Sequence, residues 1–282
     1  MFHVLAYNRA SSNDSNTAMS AVTDPVFSQR NSHFVFSEQY MMLACAAFGA
    51  TNTETRLNMP SVNAISRHNI WPINESLTPA SFPRIQDLKE VPFFVPMNEE
   101  MSWEVTDAGT EETDVILWVA PVNWSANLPQ ANAVNRRLVL RFTITYTMVQ
   151  HAWGGPAAIT FEQTPRGGWY CVNAAYAQSS NAIAFRLFFP RAPTIGGRIL
   201  RPGGLVSHAV GDMITPNFYH RLGEWGRFHT FEPPQYEEYS DAAAGSDSVV
   251  GFMDVTFLGD SPAYTIPAGS PADIGTPGMP GY

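Results

Sequence analysis

The chain has 282 residues, 45% of them hydrophobic and 15% charged, which excludes a disordered protein and leaves ample material for a core. Its net charge is −9 and Lys89 is its single lysine, so it offers no basic stripe to nucleic acid. No apolar run approaches the roughly 18 residues of a membrane-spanning helix, and no signal peptide is recognisable, which predicts the cytoplasm as the compartment.

The segment 1–33 is predicted to form an N-terminal arm. A short apolar run at positions 1–5 is followed by a stretch rich in Ser, Asn, Thr and Ala. Such a composition cannot bury enough surface to fold alone. We therefore expect this arm to be held in place, either by a neighbouring subunit or by its own domain.

Strand signals begin at Phe34. Tyr40–Phe48 and Thr53–Met59 predict a pair of strands joined by a tight turn. Val115–Ala120 is an apolar run of the length expected for a core strand. The acidic segment Asp107–Asp114 before it predicts a hairpin tip exposed to solvent.

The clearest predicted strand is Arg137–Val149, where apolar residues alternate without a break with Arg and Thr. The Gly154-Gly155-Pro156 motif after it predicts a boundary. We therefore divide the chain into a first β unit at 34–149, a linker at 150–157 and a second β unit at 158–260, which the resemblance named below identifies as two jelly rolls.

The second half repeats this order of features. Trp169–Ala177 and Ile183–Phe189 predict another strand pair, and Val249–Leu258 predicts another long alternating strand. Glu232–Asp247 predicts an acidic loop. The segment 261–282 contains five prolines, four glycines and a single charge, which predicts an extended C-terminal arm.

A degenerate sequence repeat links the two halves. The Ala-Ala-Phe at 46–48 matches the Ala-Ala-Tyr at 174–176, at an offset of 128 in the numbering. Arg56-Leu57 matches Arg186-Leu187 at an offset of 130. A two-residue insertion in the turn would explain the change of offset, and we interpret the pattern as a duplicated β unit. Chance similarity between two apolar strands is the alternative.

The two cysteines, Cys45 and Cys171, fall in corresponding strands of this repeat. We expect both thiols to point into separate cores, where cysteine behaves as a small hydrophobe. A disulfide between them is the alternative, and it would require Cα atoms within about 7 Å.

The sequence contains no strong catalytic constellation. The seven histidines lack zinc-binding spacing, and a meeting of His220 with His229 across a hairpin is the one candidate pair. No nucleophile elbow and no phosphate-binding glycine loop is present. We therefore predict no enzymatic activity and no catalytic, cofactor-binding or metal-binding residues.

Acidic and aromatic residues supply the remaining site candidates. The acidic groups are Glu99-Glu100, Glu111-Glu112 with Asp114, and Glu237-Glu238 with Asp241. They could ligate structural calcium at a subunit contact or act as glycosidase acids, but we expect solvated loop charges that discourage edge pairing. Trp103, Trp118 and Trp124 could line a sugar site, although core and interface packing is the commoner use of tryptophan.

An all-β chain with an internal repeat, at Tyr40–Pro72 and Trp169–Pro202, resembles the double jelly-roll major capsid proteins of tailless icosahedral bacteriophages that enclose a membrane. The resemblance covers about residues 34–260 and rests on architecture, since no diagnostic short motif supports it. It implies two consecutive jelly-roll β-sandwiches, three subunits in a pseudo-hexameric capsomer, and terminal arms that bind neighbouring subunits. It carries over no catalytic residues.

The resemblance also implies a location in the virion capsid after assembly in the host cytoplasm. The implied partners are other copies of the chain, penton or minor capsid proteins and an internal membrane, without direct sequence-specific binding of nucleic acid. The composition agrees, because interfaces favour the aromatic, Met and Arg residues that are abundant here over Lys. Two rivals remain: a carbohydrate-binding or glycan-hydrolysing β-sandwich protein, and a cupin-type enzyme, which the lack of metal-binding histidines disfavours.

Overall fold

The computed structural model describes most of the chain as an all-β protein with one four-residue helix, α1 (Pro60–Asn63). The described residues are 1–10, 16–49, 52–63, 70–71, 73–74, 85–89, 92–107, 109–110, 112–122, 137–192, 198–207, 219, 222–240 and 245–260. No helix within these ranges is long and apolar enough to cross a membrane.

The strands divide into those before and those after residue 123. The first group is β1 (His3–Ala10), β2 (Thr17–Ala18), β3 (Ser20–Ala21), β4 (Ser28–Arg30), β5 (His33–Val35), β6 (Tyr40–Phe48), β7 (Asn52–Asn58), β8 (Ile70–Trp71), β9 (Ile73–Asn74), β10 (Gln86–Asp87), β11 (Phe93–Val95), β12 (Glu100–Asp107) and β13 (Glu112–Pro121). The second group is β14 (Arg137–Met148), β15 (Ala157–Ala158), β16 (Thr160–Phe161), β17 (Trp169–Gln178), β18 (Ala182–Phe188), β19 (Gly203–Ser207), β20 (Gly226–His229), β21 (Gln235–Ser240) and β22 (Gly245–Gly259).

Sheets A and B form the first sandwich. Sheet A has the order β10-β6-β13-β1-β3, with β9 and β11 also paired to β6. Sheet B has the order β4-β5-β12-β7-β8, with β2 also paired to β12. Leu5 and Leu117 of sheet A meet Trp103 and Val105 of sheet B in one apolar core. All nine residues of β6 are buried, because sheet A is covered on both faces.

Sheet C forms the second sandwich by folding over on itself. Its order is β15-β21-β18-β19-β17-β22-β14-β16, with β20 also paired to β17. Strand β19 pairs with β18 and then with β17, so it connects an inner arm (β15, β21, β18) to an outer arm (β17, β20, β22, β14, β16). The arms face each other across a core in which Tyr236 contacts Phe142 and Tyr146.

The same pairing order recurs in both sandwiches. In the first, β1, β13 and β6 lie side by side in sheet A, and β7 pairs with β12 in sheet B. In the second, β14, β22 and β17 lie side by side in the outer arm, and β18 pairs with β21 in the inner arm. Five strands of one sandwich therefore correspond to five strands of the other, in the same chain order.

The strand ends relate the two copies by a single offset of 130 in the numbering. Strands β7 and β18 each have seven residues and begin at Asn52 and Ala182, and β6 and β17 end at Phe48 and Gln178. The expected two-residue insertion in the turn is therefore wrong, and the match of the Ala-Ala pairs at an offset of 128 is off by two positions.

A β-bulge at equivalent positions supports the single offset. Leu43 has no partner in the ladder between β6 and β13, and Asn173 has none in the ladder between β17 and β22. The same offset of 130 relates these two residues. An extra residue reverses the side-chain alternation downstream of it, so the two strands change face at the same point.

Two segments predicted to be irregular contain buried strands. The segment 1–33, expected to be an arm, supplies β1, which lies inside sheet A. The predicted acidic loop Glu232–Asp247 contains β21, where Glu237 and Glu238 are buried. Asp114, assigned to a solvated tip, is also buried. Polar composition suggested solvent exposure, but Asp114 accepts a hydrogen bond from Tyr239 of the second sandwich, and Glu237 pairs with Arg186 and Arg201.

The predicted boundaries at residues 34 and 150 differ from the strand pairing. Strand β1, assigned to the arm, lies in sheet A of the first sandwich, and β14, assigned to the first jelly roll, lies in sheet C of the second. The C-terminal arm at 261–282 stays a prediction and lies outside the described residues. The segment predicted to be a linker contacts the second sandwich. Gln150 forms a β-bridge with Ser240, and Trp153 forms one with Tyr239.

Both cysteines are free and buried, so they form no disulfide. Cys45 belongs to the core of the first sandwich, as expected. Cys171 instead lies near Glu224 and Arg227, on the face of the outer arm that points away from the core. Burial raises the pKa of both thiols.

Candidate functional site: a buried ion-pair cluster between the sandwiches

The most distinctive polar arrangement lies in the seam where the outer face of sheet A meets the inner arm of sheet C. Leu187 of β18 belongs to the core of the second sandwich, and its neighbour Arg186 points the other way, into the seam. Because the seam is covered on both sides, a charged residue here needs buried partners. Arg186 has one from each sandwich, Asp24 and Glu237.

Arg186 is the centre of the cluster. Its Nη1 lies 2.5 Å from Oδ2 of Asp24, and its Nε lies 2.5 Å from Oε2 of Glu237. Nη1 also donates a hydrogen bond of 3.3 Å to the Val4 carbonyl. The guanidinium lies 4.0 Å from the ring centre of Trp153. One arginine thus joins β18 and β21 of the second sandwich to the N-terminal segment that contains Val4 and Asp24.

Asp24 is saturated with donors. Its Oδ1 accepts hydrogen bonds from the backbone N–H groups of Val26 and Phe27, at 2.7 and 3.0 Å, while Oδ2 meets His3 and Arg186. Burial opposes ionisation of this carboxyl, but His3 and Arg186 outweigh it and lower its pKa. Asp24 is therefore a charged acceptor in the seam.

His3 is held as a neutral imidazole. The Arg201 backbone N–H donates to Nδ1 at 2.9 Å, so the ring proton belongs on Nε2, which lies 3.1 Å from Oδ2 of Asp24. Burial lowers the pKa of His3 more strongly than Asp24 raises it, and Arg186 and Arg201 lower it further. The positive charge that pairs with Asp24 is therefore that of Arg186.

The other side of the cluster is closed by Glu237, whose second oxygen, Oε1, pairs with Arg201. Close to this pair the backbones also meet, because the Val4 N–H donates to the Arg201 carbonyl at 3.2 Å. Trp118 Nε1 donates to the Gly203 carbonyl at 3.0 Å. A Cβ at Gly203 would lie 1.9 Å from the Phe185 carbonyl oxygen, so the close packing of β19 against β18 requires glycine.

A second polar group lies farther along the same seam. Asp114 of β13 accepts a hydrogen bond of 2.9 Å from Asn8 and another from the hydroxyl of Tyr239. His151 contacts Asn8 at 3.1 Å and pairs with Glu112. Burial raises the pKa of Tyr239 and the charge of Asp114 raises it further, so the hydroxyl remains a donor.

Glu238, the neighbour of Glu237, points into the core of the second sandwich instead. Its Oε2 accepts a hydrogen bond of 3.1 Å from Tyr236, and its Oε1 has no partner. Burial, together with the charge of Asp247, raises the pKa of Glu238 to about 8. At neutral pH this carboxyl is therefore mostly protonated.

The arrangement is suited to holding the two sandwiches in one orientation. His3, Asp24, Arg186 and Glu237 bond mainly to one another and to Arg201, and their side chains are almost fully buried. Nη2 of Arg186 is buried among them without a hydrogen-bond partner. A cluster whose members bond to one another and are closed to solvent offers no approach to a substrate. The cluster therefore links the sandwiches mechanically.

The residues predicted as site candidates lie in separate places. Glu99 accepts a hydrogen bond of 2.8 Å from the Ser61 backbone, and Glu100 lies 3.3 Å from exposed Arg30. Glu112 and Asp114, and also Glu237, belong to the seam. Glu111, Trp124, His220 and Asp241 lie outside the described residues.

The remaining aromatic candidates are divided between interior and surface. Trp103 is buried in the first core and Trp118 in the seam. The His229 ring contacts Trp169 at 5.5 Å and Phe231 at 4.7 Å. Over the part of the chain that the structure describes, no group of three or more His, Cys, Asp or Glu is arranged to hold a metal ion. Calcium at subunit contacts stays a prediction.

Sequence reasoning missed His3, Asp24, Arg186 and Arg201. One signal could have found the cluster: Arg186 stands alone within the apolar run Ala182–Pro190. A single charge inside a fully apolar strand requires a buried partner of opposite sign. Nothing near His3 or Asp24 in the sequence marks them as partners, because both lie far from Arg186 along the chain.

Comparisons with known proteins found little similarity to this chain. No protein-family model matches the chain, and no curated protein matches it. Among solved structures, the crystal structure of the major capsid protein P2 from bacteriophage PM2 is similar over 90% of this chain and 98% of that one, with 9% identity and a TM-score of 0.21. A TM-score at that level carries no argument for fold or function, so the functional conclusion depends on the molecule itself.

Proposed function

We propose that this protein is the major capsid protein of an icosahedral virus, a double jelly roll whose trimers form pseudo-hexameric capsomers that tile the shell. The observation that carries the proposal is the recurrence of one five-strand pairing order in two sandwiches joined by a closed seam. A subunit made of two similar sandwiches in a fixed orientation supplies six similar units per trimer.

The seam supports a structural role rather than a catalytic one. Its buried charges are used in joining the two sandwiches, and a shell subunit needs such a rigid internal angle so that each copy presents the same lateral surfaces. The low lysine and high aromatic content fits a chain that buries much of its surface in lateral contacts. We assign no enzymatic activity and no bound cofactor to the chain.

The partners follow from this role. Other copies of the chain form the trimer and its neighbours, penton or minor capsid proteins complete the shell, and a membrane lies inside it. With a net charge of −9, the chain does not bind nucleic acid directly. The capsid assembles in the host cytoplasm.

Negative-stain electron microscopy of the purified chain, combined with its mass in solution, tests the proposal. We expect trimers with a hexagonal outline, or closed shells. Monomers at every concentration, without hexagonal particles or shells, would overturn it, and glycan binding by such monomers would favour the carbohydrate-binding alternative.

A further inference from the structure

The internal seam is formed by two faces, and each of them has an equivalent face elsewhere on the chain. Arg186 of β18 is paired in register with Glu237 of β21. In the first sandwich, the equivalent strands β7 and β12 pair Arg56 with Glu104. The offset of 130 that relates β7 to β18 also relates Arg56 to Arg186. The same cross-strand Arg–Glu pair therefore occurs once in each sandwich.

The two pairs differ in what covers them. Arg186 and Glu237 are buried because sheet A lies over them. Arg56 and Glu104 lie on the outer face of sheet B, since their neighbours Leu57 and Trp103 point into the first core, and they are only half-buried. The first sandwich thus carries the equivalent Arg–Glu positions on a face that the described residues leave half-buried.

The face equivalent to the sheet A side of the seam is the outer face of β14 in the second sandwich, and it is exposed at Val139. Leu5 pairs with Leu117 in sheet A, and Leu140 pairs with Met253 in the outer arm, and all four are core residues. One residue earlier in each strand, Val4 points into the seam, whereas Val139 is 62% exposed.

The face around Val139 has the composition of a contact surface. Along β14 it presents exposed threonines at 143, 145 and 147, next to serines 246 and 248 of β22. These five side chains carry no charge, and an uncharged face of small side chains loses little entropy when it is covered. The two arginines of this face are already paired within the same sheet, Arg137 with Asp254 and Arg141 with Glu162.

We propose that the outer face of sheet B, at Arg56 and Glu104, docks on the outer face of β14 and β22 of a second copy of this chain, in a contact that repeats the internal seam. The inference rests on the proposed function and identifies its lateral surfaces. Such a contact is head-to-tail and joins two different faces, so it closes into a ring when the rotation between copies allows it. Three copies then contain three internal seams alternating with three between copies.

The internal seam predicts which residues meet. Because Arg186 donates to the Val4 carbonyl at 3.3 Å, Arg56 of one copy is expected to lie against Val139 of the next. A cationic side chain at position 139 would therefore face Arg56 across the contact.

Chemical crosslinking tests this pairing in the full chain. Two single variants, Arg56→Cys and Val139→Cys, are mixed and treated with a short bis-maleimide, to which the buried native thiols of Cys45 and Cys171 are poorly accessible. We expect a crosslinked dimer from the mixture and none from either variant alone. Phe231→Cys, at a side chain 89% exposed, replaces Val139→Cys in the control mixture and should give no dimer.

Association is measured in parallel by analytical ultracentrifugation. We expect Val139→Arg to weaken trimer formation at least about tenfold, through repulsion by Arg56 of the neighbouring copy, while Phe231→Arg leaves it unchanged. Circular dichroism establishes that both variants are folded. Trimers that form equally well with Val139→Arg, or crosslinking only in the control mixture, would overturn the docking assignment and leave the capsid function standing. A wild-type chain that never associates would overturn both.

Discussion

The two cross-strand Arg–Glu register pairs, Arg186 with Glu237 and Arg56 with Glu104, lie in two different environments. Arg186 and Glu237 are fully buried, and Asp24 and Arg201 complete their coordination. Arg56 and Glu104 are half-buried, and Asn58 donates to Glu104 at 2.9 Å. Removal of water makes the first pair depend on its partners, whereas solvent can replace the partners of the second. Equivalent sequence positions can therefore differ widely in their effect on stability.

The largest expected effect comes from breaking the buried pair. Arg186→Leu leaves Asp24 and Glu237 in the seam without their shared cation, and loss of one partner from a buried ion pair costs about 3–5 kcal/mol. Chemical denaturation of the full chain measures this loss. Arg191→Leu, which removes one partner of an exposed pair with Glu232, is the matched control and should cost no more than about 1 kcal/mol.

Two buried carboxyls, those of Glu238 and Asp24, make the free energy of unfolding depend on pH in opposite directions. Glu238 has a raised pKa of about 8, so the folded chain holds a proton there that the unfolded chain releases above about pH 4.5. Its contribution to stability is therefore greatest below pH 4.5 and declines as pH rises to about 8, by at most about 1.4 kcal/mol per pH unit. Asp24 has a lowered pKa, so its contribution is lost as pH falls instead.

Glu238→Gln separates these two effects. The variant should be more stable than the wild type at pH 8 and should show a weaker decline in unfolding free energy between pH 5 and pH 8. Denaturation curves at several pH values measure the difference. An unchanged slope would mean that Glu238 is ionised in the folded state.

A smaller effect is expected where β19 packs closely against β18. Gly203→Ala places a Cβ 1.9 Å from the Phe185 carbonyl oxygen, so β19 must move away from β18. Overpacking of this kind costs about 1–3 kcal/mol. Gly155→Ala, whose Cβ would meet nothing within 4 Å, should remain within about 0.5 kcal/mol of the wild type. Equal melting temperatures for the two variants would argue against close packing of β19 on β18.

The smallest expected effect is at the equivalent arginine. Arg56→Leu should change the unfolding free energy of a dissociated subunit by no more than about 1 kcal/mol, because its surroundings are half open to water. Urea denaturation at a concentration where the chain is monomeric measures this value. A loss as large as that of Arg186→Leu would show that the two arginines are energetically alike, and the comparison would fail.

Strands in which apolar residues dominate could be predicted from the sequence, including β18 with its single buried Arg186, whereas the polar strand β21 could not. Strand β14 alternates between buried and exposed residues, so its position was evident. Strand β21 reads Gln-Tyr-Glu-Glu-Tyr-Ser and resembles a surface loop, since local composition does not reveal that Arg186 and Arg201 lie beside it. Strand β1 was hidden in the same way by the polar segment that follows it.

The position of β1 also has a consequence for how the protein is made. On the ribosome β1 emerges first, but its partner β13 begins only at Glu112 and the seam residues Arg186 and Glu237 come later still. At roughly 5–20 residues per second, His3 and Asp24 are synthesised many seconds before their partners. A chain that stops early therefore has unpaired strand edges and uncompensated charges, which disfavour its entry into a larger assembly.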